Sequence, residues 1–208
     1  MTTTDRPVLG RRGSNVATWC LRAVAVGAVL VAIVLPLHRL LMPGGSVPVS
    51  LVADAVRTVA VPGLPAGVTA SVAEGTVSLD VAGLPPGLRL LTEASGVVAA
   101  LAVAAGAWWL AGVLGTVAGG HPFHRRNSAR LRGVAAAVLV GGVLAPIVDD
   151  LAGLAVLDHL DLLGPDSPFV LTLLHFDALP VLLTLVVLAA AEAFRRGAAM
   201  ADDVEGLV

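Results

Sequence analysis

Four long apolar stretches constrain this chain more than any other feature of its sequence. Each is close to or above the roughly 20 mostly apolar residues that an α-helix needs to cross a hydrocarbon core of about 30 Å. Only helices and closed barrels satisfy their backbone polar groups in lipid, so the sequence predicts an all-α membrane protein with four transmembrane helices. The predicted spans are about 16–37, 94–118, 133–157 and 169–191.

The composition supports this class and excludes two others. Hydrophobic residues make up 57% of the chain and charged residues 13%, with a mean hydropathy of +0.90. A soluble domain carries roughly 25% charged residues, and a disordered chain has low hydrophobicity, so both classes are excluded. The single cysteine, Cys20, excludes an intramolecular disulfide and a multi-cysteine metal site. The 13 basic residues are all arginine, which suggests a GC-rich, bacterial genome.

The arginines predict the orientation. Ten of the 13 lie near the two termini or within loop 119–132. Segments on the cytoplasmic side of a membrane protein carry an excess of positive charge. We therefore expect a multi-pass protein of the bacterial inner membrane with both termini cytoplasmic. A cleavable signal peptide is the less favoured alternative, because Arg22 lies inside the apolar run and no small-x-small site follows Leu37. The ten arginines are Arg6, Arg11, Arg12, Arg22, Arg125, Arg126, Arg130, Arg132, Arg195 and Arg196, against Arg39, Arg57 and Arg89.

The segment between the first two spans, about 42–88, is too polar to cross a membrane and carries two alternating runs. A turn at Glu74-Gly75 would pair Val72 with Val77 and place the apolar residues of both runs on one face. The sequence predicts a small extracytoplasmic β-hairpin here. Because an isolated hairpin is marginal, residues 47–51 are expected to add a third strand, or the hairpin to pack on the helix ends.

Loop 119–132 and the residues after the fourth span carry the most distinctive motifs. The loop contains Gly120-x-Pro122-Phe123, then Asn127 and Arg130-Leu131-Arg132, and its two leading glycines are expected to close the second helix. The chain exit reads Glu192-x-Phe194-Arg195-x-Gly197, followed by an acidic tail that composition predicts to be unstructured. The tail's acids are Asp202, Asp203 and Glu205.

These motifs resemble those of the domain of unknown function 2975 family, small bacterial four-helix membrane proteins. Its members carry a Gly-x-Pro-Phe turn, an asparagine and an Arg-Leu-Arg step between the second and third helices, and a Glu-x-Phe-Arg-x-Gly exit. His124 and the pair Arg125-Arg126 depart from that pattern, which more often has a threonine or serine and an acid. The resemblance implies a fold and a membrane location but no established activity.

Ionisable residues also gather near the predicted outer ends of the third and fourth spans. Pro146 and Asp149-Asp150 interrupt the third span, which is expected to leave the hydrocarbon near Val148. Charges at membrane depth are costly and usually face a bundle interior or a water-filled cavity. We call Asp149, Asp150, His175 and Asp177 the outer polar layer.

Two interpretations of the outer polar layer compete. It either binds a cation or relays a proton, as in a transporter or channel-like module, or it is structural. In the structural interpretation, which is favoured, Asp149 and Asp150 form a polar helix exit, and Asp177 pairs with Arg39 or caps a helix.

No catalytic motif, cofactor or metal site is predicted. His121 and His124 have a spacing that would suit a metal, yet interfacial histidines are the favoured interpretation. Small-xxx-small rows in the second and third spans predict close helix packing and are compatible with a homo-oligomer. The leading hypothesis is a non-enzymatic sensor or interaction partner, with no nucleic acid, in which loop 119–132 and tail 192–208 dock a cytoplasmic protein.

Overall fold

The structure is a computed structural model that describes residues 11–41, 47–52, 68–73, 76–81, 83–121, 123–163 and 177–205. Its helices in chain order are α1 (Arg11–Leu41), α2 (Pro86–Ala118), α3 (Arg125–Leu139), α4 (Ala145–His159) and α5 (Ala178–Glu205). A π-helical turn, Val140–Leu144, joins α3 to α4. The strands are β1 (Val47–Val52), β2 (Val68–Ala73) and β3 (Thr76–Val81).

Four of the described helical segments are long and apolar enough to cross a membrane, with mean hydropathy between 1.8 and 2.4. In α1 and α5 only 11% of the most apolar window is buried inside the protein. Exposing that surface to water would cost about 25 cal/mol per Å², whereas lipid accepts it without this cost. The chain is therefore an α-helical, multi-pass membrane protein, as the apolar stretches predict.

The helices extend past most of the predicted bounds. α1 begins at Arg11 and continues through Pro36 to Leu41. α2 begins at Pro86 instead of Ala94, with a proline at the first helical position, where no N–H is needed. The physical reason is that hydropathy detects the embedded part of a helix, and polar turns continue it beyond the lipid.

The sequence predicts the third span over 133–157, and the structure continues the helix past Pro146 to His159, close to the predicted end. The exit from the hydrocarbon near Val148 stays a prediction. One helical segment runs from Arg125 to His159, and the π-helical turn immediately precedes Pro146. A proline removes one hydrogen bond and clashes with the carbonyl four residues earlier, and a local π-bulge accommodates both effects. Pro146 therefore alters the helix without stopping it.

The fourth helix also differs from its prediction. Its described part begins at Ala178, and the predicted start at 169 lies outside the described residues. At the other end α5 continues through Glu205, so the first part of the acidic tail is helical, contrary to the unstructured tail predicted from composition.

The three strands form an antiparallel sheet in the order β1-β3-β2. β2 and β3 pair Val68 with Val81, Ala70 with Leu79 and Val72 with Val77. These pairs coincide with those that the alternation predicts for a turn at 74–75. β1 adds to the other edge of β3, pairing Val47 with Val81, so the third strand lies where residues 47–51 suggested.

The chain divides into two compact units, each with its own core. The first comprises Met1–Leu30, Ala100–Gly141 and Ala178–Val208, and the second comprises Val31–Ala99 and Gly142–Asp177. The core of the first unit contains Val113, Leu131 and Ala191, with Val187 and Phe194 packed against it. In the second unit α4 lies against β1, and Val156 and Leu157 are fully buried.

Small residues bring α2 and α3 close together within the first unit. A Cβ added at Gly106 would lie 3.4 Å from the Cβ of Ala137, and one at Gly141 would lie 3.1 Å from that of Ala102. Small side chains at such positions allow helix backbones to approach. The row containing Ala137 and Gly141 therefore packs within the chain, while the prediction of a homo-oligomer stays a prediction.

Candidate functional site at the arginine-bearing end

The end of α2 shows why loop 119–132 has a fixed shape. Gly120 adopts a φ of +82°, and the His121 N–H donates to the Thr116 carbonyl at 3.0 Å. The Gly120 N–H donates to the Val117 carbonyl at 3.1 Å, which completes a Schellman motif. The predicted glycine closure of the second helix is confirmed. Pro122 lies outside the described residues.

His124 starts α3 as its N-cap. Its Nδ1 accepts a hydrogen bond from the Arg126 N–H at 3.1 Å, satisfying one of the donors that a helix start leaves unpaired. The imidazole thus has a structural use that the sequence analysis missed. Among the described residues, no group of three or more histidine, cysteine or acidic side chains could hold a metal ion.

Asn127 and Arg130 join α3 to α2 through a partly buried polar network. Asn127 has no exposed surface, and its Oδ1 accepts from Thr116 Oγ1 at 2.8 Å and from Arg130 Nη1 at 3.4 Å. Arg130 Nη1 also donates to the Gly112 carbonyl, and a Cβ added at Gly112 would lie 2.9 Å from Arg130 Nε. These two residues of the loop motif therefore hold the helices together, and we call Asn127, Arg130, Thr116 and Gly112 the α2–α3 polar network.

Sequence reasoning identified Asn127 and Arg130 but missed their partners. Thr116 and Gly112 lie one turn apart near the end of an apolar helix. A hydroxyl that close to the loop was the available signal, although threonine also bonds its own helix, as Thr116 does to the Val113 carbonyl at 2.8 Å.

Phe123 connects the loop to the start of the tail. Its ring centroid lies 6.0 Å from that of Phe194, with 50° between the ring planes. A Cβ added at Gly197 would lie 2.5 Å from Phe123 Cδ1, so this glycine makes room for the ring. The structure thus brings together the two motifs that the sequence had identified separately. Phe123 itself remains 49% exposed.

Charged side chains surround this contact. Glu192 accepts hydrogen bonds from Arg195 at 2.6 and 2.7 Å and from Arg196 at 2.9 Å, at the expected helical spacings. All three side chains are substantially exposed, so this ion pair contributes little to stability. We define the arginine-bearing end by the exposed arginines of α3 and α5, which are Arg125, Arg126, Arg132, Arg195 and Arg196.

The outer polar layer falls in the second unit, and its members are held in different ways. Asp149 on α4 accepts a hydrogen bond from Ser95 Oγ at 3.0 Å, and Asp150 is half-buried. Asp177 directly precedes α5, while His175 lies outside the described residues. A shared cavity for these residues, which the less favoured transporter interpretation requires, stays a prediction.

Two arginines of the second unit also have defined partners. Arg39 Nε lies 3.2 Å from Glu93 Oε1, and the Glu93 side chain is 19% exposed. Arg89 is 8% exposed, and its Nε donates to the Leu84 carbonyl at 2.8 Å, just before α2 begins. Both arginines are expected to mark the outer side, and Arg39 is also a candidate partner of Asp177; in the structure each has a further partner close to it in the fold.

The position of Asp177 predicts a helix cap. Replacement of Asp177 by alanine is expected to lower the free energy of unfolding by about 1 kcal/mol, whereas Asp177→Asn is expected to leave it nearly unchanged, because asparagine and aspartate cap equally well. Unfolding of both variants in detergent micelles checks this. Equal losses of unfolding free energy in both variants would show that the charge of Asp177 is needed.

A transport assay tests the alternative interpretation of the same residue. Loss of a cation-dependent flux in proteoliposomes with Asp177→Asn would support the transporter hypothesis.

No family model, curated protein or solved structure matches the chain.

Proposed function

We propose that this chain is a non-enzymatic membrane protein of the bacterial inner membrane, in which the arginine-bearing end faces the cytoplasm and binds a protein partner. The orientation follows from the ten arginines on that side. A four-helix membrane fold is also what the resemblance to the domain of unknown function 2975 family implies. Membership of that family is part of the proposal. On this orientation the three-stranded sheet lies on the extracytoplasmic side.

The observation that carries the proposal is the contact between Phe123 and Phe194. It joins loop 119–132 to the exit of α5, two segments far apart in the sequence, at a ring distance of 6.0 Å. The loop is also held by the helix closure at Gly120, by the cap at His124 and by the α2–α3 polar network. A surface that is rigid before binding loses less conformational entropy when a partner docks.

The exposed side chains at the arginine-bearing end and on the neighbouring loop indicate the chemistry of the partner. Phe123 offers an apolar ring, and Arg125 and Arg126 stand exposed two and three residues later. The side chains of Arg195 and Arg196 are 60% and 71% exposed. Aromatic and arginine side chains are enriched at the energetic centres of interfaces, so we expect an acidic protein surface with an apolar pocket for Phe123. We call Phe123, Arg125, Arg126, Arg195 and Arg196 the docking surface.

Site-specific photocrosslinking in native membranes tests the docking surface. A photoreactive phenylalanine analogue at position 123 is expected to give a discrete adduct of one cytoplasmic protein, and the same analogue at position 182, an exposed leucine within α5, is the matched control. The double change Arg125→Glu and Arg126→Glu is expected to abolish the adduct by reversing charge. An adduct that survives this change, or that also forms from position 182, would contradict the proposal.

A further inference from the structure

We propose that the first unit binds an anionic phospholipid of the cytoplasmic leaflet in a groove between α1 and α2. Two cavities lie along these helices. The apolar one has a volume of about 450 Å³ and is lined by residues that include Val26 and Val29 of α1 and Leu101 and Trp108 of α2. The polar one has a volume of about 350 Å³ and is lined by Asn15, Gly115, Ala118 and Gly119.

The two cavities share one face of α1. At 100° per residue, Asn15, Arg22, Val26 and Val29 fall within about 60° of one another around the helix axis. Asn15 lines the polar cavity, and both valines line the apolar one. Arg22 therefore lies on the helix face that connects the two cavities, one turn from the apolar cavity.

The residues of α2 that line the two cavities also share one face of their helix. Leu101, Ala104 and Trp108 line the apolar cavity, and Gly115 and Gly119 line the polar one. These five residues also fall within about 60° of one another at 100° per residue. The two cavities therefore lie along the same faces of α1 and α2, and we call these two facing surfaces the seam.

The dimensions suit a phospholipid. From Asn15 to Val29 the seam runs about 21 Å along α1, at 1.5 Å per residue. One leaflet of a bilayer, headgroup included, is roughly 20–22 Å thick, half of the 40–45 Å total. The polar cavity lies at the loop end of α2, where the headgroup layer of the cytoplasmic leaflet is expected. Val26 and Trp108 are 57% and 60% exposed, so the apolar part is open to the lipid chains.

The charge on the seam favours an anionic headgroup. Arg22 lies 5.8 Å from the centroid of the Trp19 ring, an aromatic residue of the kind that anchors helices at a membrane interface. Among the described residues, no carboxylate pairs with Arg22. An arginine placed one to two turns below an apolar groove can extend its guanidinium toward the interface and meet a lipid phosphate there.

Trp108 provides the measurement. The purified full-length protein is placed in phosphatidylcholine vesicles that contain a minor fraction of either dibrominated phosphatidylglycerol or dibrominated phosphatidylcholine. Bromine in a bound acyl chain quenches tryptophan fluorescence, and subtraction of the Trp108→Phe signal isolates Trp108. We expect brominated phosphatidylglycerol to compete for the groove about fivefold more effectively than brominated phosphatidylcholine, as one arginine near an anionic headgroup predicts.

Two variants and their controls decide the result. Arg22→Gln is expected to remove the fivefold preference for the anionic lipid. Arg132 is an exposed arginine on α3, and Arg132→Gln is expected to retain the preference. Gly115→Leu is expected to abolish the preference by filling the polar cavity. A Cβ added at Gly115 or at the control Gly96 meets nothing within 4 Å, so neither replacement begins with a clash at the backbone, and Gly96→Leu is expected to behave as the wild type.

Equal quenching by the two brominated lipids would overturn the proposal, as would a preference that survives Arg22→Gln. The vesicles contain no partner protein, so either result leaves the docking surface untouched. Conversely, failure of the crosslinking experiment leaves the lipid site standing.

Discussion

Replacement of Gly133 by alanine is expected to lower the free energy of unfolding by roughly 1–3 kcal/mol, the usual cost of overpacking. A Cβ at this position would lie 2.6 Å from Trp109 Cδ2 and 2.7 Å from Trp109 Cε3. These atoms belong to a rigid indole ring, so relief requires α2 and α3 to move apart or the ring to leave its place. Reversible unfolding by sodium dodecyl sulfate from a mild detergent micelle measures the change.

Gly96 supplies the matched control for Gly133. It also lies in a membrane-spanning helix, but a Cβ there meets nothing within 4 Å. Gly96→Ala is therefore expected to be neutral or stabilising, by up to about 1 kcal/mol, through helix propensity alone. The explanation also predicts coupling, because Trp109→Leu removes the clash and should reduce the additional cost of Gly133→Ala. Equal effects at Gly133 and Gly96 would contradict it.

Replacement of Asn127 by leucine is expected to destabilise the protein by about 2 kcal/mol. A hydrogen bond between membrane helices contributes about 0.6 kcal/mol on average, and leucine must also fit a fully buried space shaped for an amide. The change removes the acceptor that Thr116 Oγ1 and Arg130 Nη1 share. The same detergent unfolding assay measures the loss.

Ser128 gives the control for Asn127. It is the next residue and 8% exposed, but within the described part of the chain its hydroxyl bonds only locally, to the Arg125 carbonyl at 3.2 Å. Ser128→Ala is expected to cost well under about 1 kcal/mol, because no contact between helices is lost. A double-mutant cycle of Asn127→Leu with Thr116→Val should return a coupling near 0.6 kcal/mol. Zero coupling would contradict a stabilising hydrogen bond between Asn127 and Thr116.

Local patterns in the sequence were sufficient for much of the fold. The apolar stretches identified the four membrane helices because the hydrocarbon thickness sets a length that composition alone can show. The strand pairs around 74–75 could be predicted because a tight turn fixes the register of its two neighbours. The glycine closure at Gly120 was predictable for the same reason, since a positive φ satisfies carbonyls only a few residues away.

Prediction failed where distant or competing effects decided the outcome. The third span was predicted to continue past Pro146 to about residue 157, but nothing in the sequence indicated the π-helical turn that precedes the proline. Asp202, Asp203 and Glu205 look like a solvated tail, yet α5 extends through them. The error for the tail came from treating a short segment as if the helix before it had no influence.

The candidate site shows the same division. The loop motif and the exit motif were visible in the sequence, but nothing in their spacing indicated that Phe123 would contact Phe194. Arg130 is expected to mark the cytoplasmic side, and only the structure shows that its bond to the Gly112 carbonyl also makes it part of the α2–α3 polar network.

By itself, the sequence determined that this chain is a membrane protein and that four of its segments are long and apolar enough to cross the membrane. Its arginines also predict which end faces the cytoplasm. These properties depend on length, hydropathy and charge, which are local sums along the chain. Only the tertiary structure decided which residues meet across helices: Gly133 with Trp109, Asn127 with Thr116, and the two cavities along α1 and α2. Such contacts depend on the rotation and offset of each helix, and these are set by packing among all the helices together.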